Sequence, residues 1–171
     1  MYVCKFGGTS VADAPQLRQV QQIVAADVRR QVIVTSAPAG MTNALLQIWE
    51  LVSTRHDWSA IWQSEITRRF RAIALDCGVL NADIADVLQH TFATMCSGQV
   101  DRDYIASRGE AIHSHVVAAI LEARRIEAAT VIKFDQQGQL DTETTYALLR
   151  TACVGDNRIV LGGFYGSLPN G

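Results

Sequence analysis

The sequence predicts an α/β domain with an open, largely parallel sheet flanked by helices, and three observations carry that prediction. Short β-branched runs alternate with longer segments of helical periodicity. Three of the four strand candidates are nearly continuous apolar runs, as expected of strands covered on both faces. The chain has 171 residues, 49% of them apolar and 19% charged, which suits one domain with a sizeable core.

The strand candidates are residues 2–6, 31–35, 130–134 and 158–164. Asp13, Pro15 and Gln16 mark the start of a first helix, as a cap, a first-turn proline and a glutamine at the third position, and it runs to about residue 30. A second helix covers 42–53, with Leu45, Leu46, Trp49 and Val52 at helical spacing. A helical insertion without strands follows. Its helices at 58–77 and 81–97 are stopped by Gly78 and Gly98. Residues 107–125 carry an apolar stripe of Ile112, Val116, Ala119 and Ile120, and 142–152 form the last helix before the final strand. "SLPNG" at 167–171 is a turn signal, and a turn feeds a further strand. The chain is therefore expected to stop within a hairpin, leaving the final strand as an unpaired apolar edge through which copies self-associate.

Composition narrows the function classes. A net charge of −2 and a pI near 6.0 give no basic footprint for nucleic acid. No apolar run approaches the roughly 18 residues of a membrane span, and no leader precedes the first strand. Cys4, Cys77, Cys96 and Cys153 form no paired motif, which fits a reducing, cytoplasmic setting. His113 and His115, two apart on a helix, point to different faces and make a poor metal pair, so no metal site is expected. Thirteen arginines but only two lysines, Lys5 and Lys133, supply the positive charge, and both lysines lie in strand-like stretches.

Three segments could carry chemistry. "VCKFGGTSV" at 3–11 ends a strand with Lys5 and follows it with Gly7 and Gly8, which let backbone N–H groups approach an anion. The residue order fits neither a P-loop nor a dinucleotide fingerprint, so a plain strand-to-helix turn stays open. "VIVTSAPAGMTNAL" at 32–45 sets Ser36, Gly40 and Thr42 at a strand's C-terminal end, where parallel sheets bind ligands, or where Ser36 and Thr42 simply cap a helix. In "SRGEAI" at 107–112, Ser107 and Glu110 read equally as a capping box or as a carboxylate holding an ammonium group.

Together these segments resemble the aspartokinases of the amino acid kinase family. "KFGGTSV" at 5–11 is similar to that family's opening signature, "TSAPAGMTNALL" at 35–46 to its second loop, "SRGE" at 107–110 to its S-x-G-E segment and "GGFYGSLPNG" at 162–171 to its G-F-x-G turn. The four stand in family order and span nearly the whole chain. The resemblance implies an amino-acid-kinase-like α/β/α sandwich in which Lys5 contacts the transferring phosphoryl group and Gly7 and Gly8 cradle the phosphates of ATP. It implies that Thr42 and Glu110 hold L-aspartate, Glu110 through the α-amino group, with Ser36 and Phe164 close by. Mg2+ would accompany ATP in the full enzyme, and neither would bind tightly to this chain alone. Aspartokinases continue with a G-R-G-G-S-D segment, most of the nucleotide pocket and ACT-type regulatory domains, none of which occurs in residues 1–171. The expectation is an N-terminal, substrate-binding lobe over 1–171, inactive by itself. The alternative is a stand-alone, non-catalytic binding or assembly module on the same fold.

Overall fold

In the computed structural model, which describes residues 1–155 and 158–169, four strands form one parallel sheet among the described residues. They are β1 (Tyr2–Phe6), β2 (Arg30–Thr35), β3 (Arg124–Arg125) and β4 (Ile159–Gly162), in the spatial order β1-β2-β4-β3. Parallel neighbours need crossovers that return the chain to the starting end, and helices supply them. These are α1 (Ala14–Ala25), α2 (Met41–Ser53), α3 (Ser59–Ile61), α4 (Arg68–Asp76), α5 (Ala82–Cys96), α6 (Arg102–Ile120), α7 (Ala128–Val131) and α8 (Thr142–Ala152). The α/β sandwich expected from the sequence is what forms.

The central strands β2 and β4 divide their side chains by the period of two. Ile33 and Val160 enter the larger core with Leu17 and Val20 of α1, Leu45 and Ile48 of α2, and Ile112 and Val116 of α6. Val32, Ile159 and Leu161 point the other way, into a smaller core with Val131 of α7 and the partly buried Leu148 and Leu149 of α8. Each such side chain contributes about 1.5–3 kcal/mol by leaving water. Both faces are covered, which is why these strands read as continuous apolar runs.

The strand β1 departs from that pattern. It lies at the sheet edge, with Cys4 and Phe6 against the larger core and Tyr2, Val3 and Lys5 outward, Val3 at 67% exposure. Its apolar continuity does not reveal that helices cover only one of its faces.

The helical insertion forms as expected. Gly78 and Gly98 close α4 and α5 at φ +72° and +71°, the left-handed region that glycine enters without strain. Between α3 and α4 the helix widens into a π turn at Trp62–Thr67, and Trp62 there packs with Trp58 and Phe92.

Four expectations are corrected. The helix α1 ends at Ala25 rather than near residue 30, because the Asp27 carboxylate accepts from the Arg29 amide (2.9 Å) and starts the turn into β2. The helix α6 begins at Arg102, since Asp101 accepts from the Tyr104 amide at 2.7 Å, and it stops at Ile120. Ser107 and Glu110 therefore sit inside the helix, and the Ser107 hydroxyl donates to the Tyr104 carbonyl (2.7 Å) instead of capping. Residues 130–134 are not a strand: the Thr130 amide and hydroxyl both turn back to the Glu127 carbonyl. The place beside β4 belongs to β3, with the Ile126 N–H continuing to the Val160 carbonyl at 2.8 Å. Finally, β4 is not the unpaired edge expected: β2 flanks it along its length and β3 flanks it at Ile159 and Val160. The turn expected at 167–171 runs into residues 170–171, which lie outside the described residues.

The helix α6 lies against α2, β2 and β4, and Gly109 is what lets it come so close. A Cβ on Gly109 would stand 2.8 Å from the Ala37 Cβ and 3.3 Å from a Leu45 methyl. We predict that Gly109→Ala destabilises the chain by about 1–3 kcal/mol in urea denaturation. Gly7→Ala should be neutral, because its Cβ would meet nothing within 4 Å at an ordinary φ of −78°. Equal stabilities for the two variants would contradict this packing.

Candidate functional site

Phe6 pairs with Thr35 and Thr35 with Gly162, so three parallel strands end at one level. The loops that leave them are bound to one another. The Ser36 N–H donates to the Phe6 carbonyl (3.1 Å), Ala39 N–H to Gly8 (3.0 Å) and Gly163 N–H to Thr35 (2.8 Å). This is the end of a parallel sheet at which ligands bind. Glycine makes the approach possible: a Cβ on Gly8 would lie 2.8 Å from the Ala37 carbonyl oxygen, and one on Gly162 would lie 2.6 Å from the Tyr165 ring and 3.1 Å from the Glu110 carbonyl oxygen. Gly7 faces open space, so neither conformation nor internal packing calls for glycine there.

Lys5 is exposed at the end of β1, its ammonium 4.7 Å from the centroid of the Phe164 ring. Among the described residues no carboxylate lies within ion-pair distance of it. Lys133, by contrast, is committed to structure, donating to the Ala129 carbonyl (2.8 Å) and the Ser167 hydroxyl (2.9 Å). Phe164 stands 82% exposed at φ +64°, a strained backbone for a residue other than glycine.

Glu110 is only 7% exposed in the middle of α6. Burial pushes its carboxyl pKa up, while hydrogen bonding from its own and the Ala37 backbone, and the charges of Arg108 and Lys5, pull it back. The capping role is gone, and what remains is a desolvated carboxylate near Lys5. Ser36 is buried. Thr42 is exposed in the first turn of α2, whose cap position is Gly40 at φ +83° with no side chain bonding to the helix end. The structure thus brings Lys5, Gly7, Gly8, Ser36, Glu110 and Phe164 to one end of the sheet, and sets Thr42 where the 36–40 loop enters α2.

Two contributors escape a reading of the sequence. His113, one turn beyond Glu110 on α6, is fully buried, with Nδ1 2.9 Å from the Ser36 carbonyl oxygen. A carbonyl only accepts, so Nδ1 carries the proton; Nε2 is buried with no partner among the described residues. Burial lowers the pKa of this histidine to about 4, so the ring is neutral. Arg69 of α4 donates to the Ala39 carbonyl at 2.7 Å. Together they pin the 36–40 loop from beneath. The one signal available in the sequence was the spacing of three that puts His113 on the face of Glu110.

Chemically, the arrangement offers an anion side, formed by Lys5, the Gly7–Gly8 turn and the start of α2, and an ammonium-seeking carboxylate at Glu110. Among the described residues no three His, Cys, Asp or Glu side chains converge on a metal position.

The family model for the amino acid kinase family matches residues 1–171. The aspartokinase of Chlamydia trachomatis is 30% identical over 181 residues, covering 99% of this chain and 41% of that protein. The crystal structure of Clostridium acetobutylicum aspartate kinase superposes with a TM-score of 0.92 at 32% identity, covering 99% of this chain and 40% of that one. Escherichia coli aspartokinase III, solved with aspartate and ADP, gives a TM-score of 0.84 at 23% identity over 99% of this chain and 42% of its own, a likeness of fold. The chain spans about two fifths of the length of these relatives.

Burial of these groups fixes how stability depends on pH. Below pH 6.5 the unfolded chain protonates His113, whereas the folded chain does not until about pH 4. Stability should fall across that window by about 3 kcal/mol from this residue. His115, lowered to about 4 by burial and by Arg125, adds a second proton. In His113→Asn the slope of unfolding free energy against pH should drop by one proton. An unchanged slope would show that the ring titrates normally. Glu110 acts oppositely: its folded pKa is raised, so the wild type loses stability as pH climbs from 4.5 through the folded value. Glu110→Gln should therefore be more stable than wild type at neutral pH, with the gap in melting temperature widening as pH rises above 4.5.

Proposed function

This chain belongs to the amino acid kinase family, and from that premise we propose that residues 1–171 form the amino-acid side of an aspartate kinase site. The observation that carries the reading is the pairing, at one level of the sheet, of Lys5 and the buried Glu110, neither of which has an ion-pair partner among the described residues. One site must hold a zwitterionic substrate and a phosphoryl donor at once, and this is charge laid out for both. The choice of L-aspartate and ATP rests on the aspartokinase relatives and on the aspartate and ADP bound in the E. coli protein.

In this reading Glu110 accepts hydrogen bonds from the α-ammonium of aspartate. Thr42 and the free N–H groups at the start of α2 meet a substrate carboxylate, with Ser36 beside them. Phe164 walls the substrate. Lys5 contacts the phosphoryl group as it passes to the side-chain carboxylate, and Gly7, with open space before it, lets backbone N–H groups approach the phosphates beside Gly8. The carboxylate oxygen forms the new bond to phosphorus as the bond to the leaving ADP oxygen breaks, so these residues need to position groups and offset charge rather than supply a nucleophile. ATP with Mg2+ supplies the phosphoryl group. Over this length the chain is a substrate lobe that binds aspartate without phosphorylating it. Its four free thiols suit the cytoplasm, and no helix among the described residues is long and apolar enough to cross a membrane.

Calorimetric titration tests the reading directly. L-Aspartate should bind the wild-type chain, and Glu110→Gln should weaken binding about 10-fold or more, the weight of a charge-assisted hydrogen bond. Because that variant is expected to be more stable, lost binding cannot be blamed on unfolding. No binding by folded wild type, or equal binding by both, would overturn the proposal. Aspartate-dependent release of ADP by the isolated chain would refute its inactivity.

A further inference from the structure

Phe164 poses a problem that its own contacts do not solve. The ring is 82% exposed, so burial does not hold it, and its φ of +64° favours relaxation. Strain of this kind persists only where neighbouring residues over-determine it. On one side the Gly163 N–H is bound to the Thr35 carbonyl at 2.8 Å. On the other, the Tyr165 hydroxyl donates to Glu127 Oε1 at 2.7 Å, and Arg125 donates to Glu127 Oε2 at 2.8 Å. Arg125 also reaches the Ser114 hydroxyl of α6 at 3.3 Å. The Tyr165 ring fills the space beside Gly162, and the Arg108 guanidinium lies 5.7 Å from its centroid.

We propose that Tyr165, Glu127 and Arg125 form a clamp, anchored on β3 and α6, that holds Phe164 over Lys5. They are positioning residues for the site and do not touch the substrate. Which ligand benefits rests on the reading above; the clamp itself does not. Both oxygens of Glu127 have a donor, so the network is closed. Burial tends to raise the Glu127 pKa, but the Arg125 and Tyr165 hydrogen bonds and the charges of Arg125 and Arg108 bring it below the usual value. Burial and the charge of Glu127 push the Tyr165 phenol up. Donor and acceptor therefore keep their roles across the neutral range. The clamp crosses the sheet end, from the edge strand opposite β1 to the loop that faces β1.

Fluorine NMR on chain labelled with 4-fluorophenylalanine reads the clamp without any ligand. Phe164 is assigned by Phe164→Leu, and its resonance should shift in Lys5→Met, which removes the cation over the ring. In Glu127→Gln and in Tyr165→Phe, the second adding one resonance of its own, the Phe164 line should move toward the free amino acid and lose its response to Lys5→Met. The remaining phenylalanine lines report whether each variant is folded, and Arg125→Lys provides a milder lesion if one is not. A Phe164 resonance unchanged in all of these would overturn the clamp. In calorimetry Tyr165→Phe should weaken L-aspartate about 3-fold to 10-fold, the worth of one hydrogen bond, and do nothing further in a Phe164→Ala background. Equal weakening in both backgrounds would show that Tyr165 does not act through Phe164. Failure of wild type to bind aspartate would overturn the proposed function while the NMR still decides the clamp.

Discussion

Phe6, Thr35 and Gly162 face one another across three parallel strands, so the chain must leave the sheet three times at the same height. Parallel pairing dictates this, because each strand runs the same way and every exit falls on the same end. The exits can share that space only if some of them lack side chains. Gly8, Gly109, Gly162 and Gly163 each have a neighbour within 3.2 Å of where a Cβ would sit. Those neighbours are Ala37, the Tyr165 ring, the Glu110 carbonyl and Val34, which belong to the loops, helix and strand that meet at the same end. Glycine is thus a packing requirement here, and Gly7, without such a neighbour, stands apart.

The site works against the stability of its own scaffold. Burying Glu110 without a full ion pair disfavours its charge, and burying His113 with one nitrogen unpartnered forfeits a hydrogen bond. Both lie on the same face of α6, one turn apart, under the 36–40 loop. The larger core meets the cost: α1, α2, α4, α5 and α6 all contribute to one continuous apolar cluster around Ile33 and Val160. A helix so firmly seated can present a polar face that would be too costly on a marginal one.

Much of this was legible in the sequence, for identifiable reasons. Strands β1, β2 and β4 and helices α2, α5 and α8 followed from periodicity, caps and glycine stops, which are local signals. The capping box at Ser107 and Glu110 was a false local signal, because Asp101, six residues earlier, caps the helix instead. The segment 130–134 is apolar and β-branched, but its place beside β4 is filled by Arg124 and Arg125, whose side chains gave no strand signal. Which strand lies at the edge depends on the order of the sheet, and no local pattern encodes order. The residues of the candidate site were readable as motifs, whereas His113, Arg69 and the Tyr165–Glu127 bond join segments 30 to 77 positions apart and needed the fold.

The scarcity of lysine has a practical side. Of thirteen arginines and two lysines, only the lysines carry an amine that acylating reagents can modify, and guanidinium groups resist them. Lys133 has its amine bound to two oxygens in a half-buried position. Apart from the N-terminus, Lys5 is then the accessible amine on the molecule. The side chain that the strand order sets at the mouth of the site doubles as a chemical handle, and its reactivity toward an amine-selective probe would report, residue by residue, on whatever comes to rest over it.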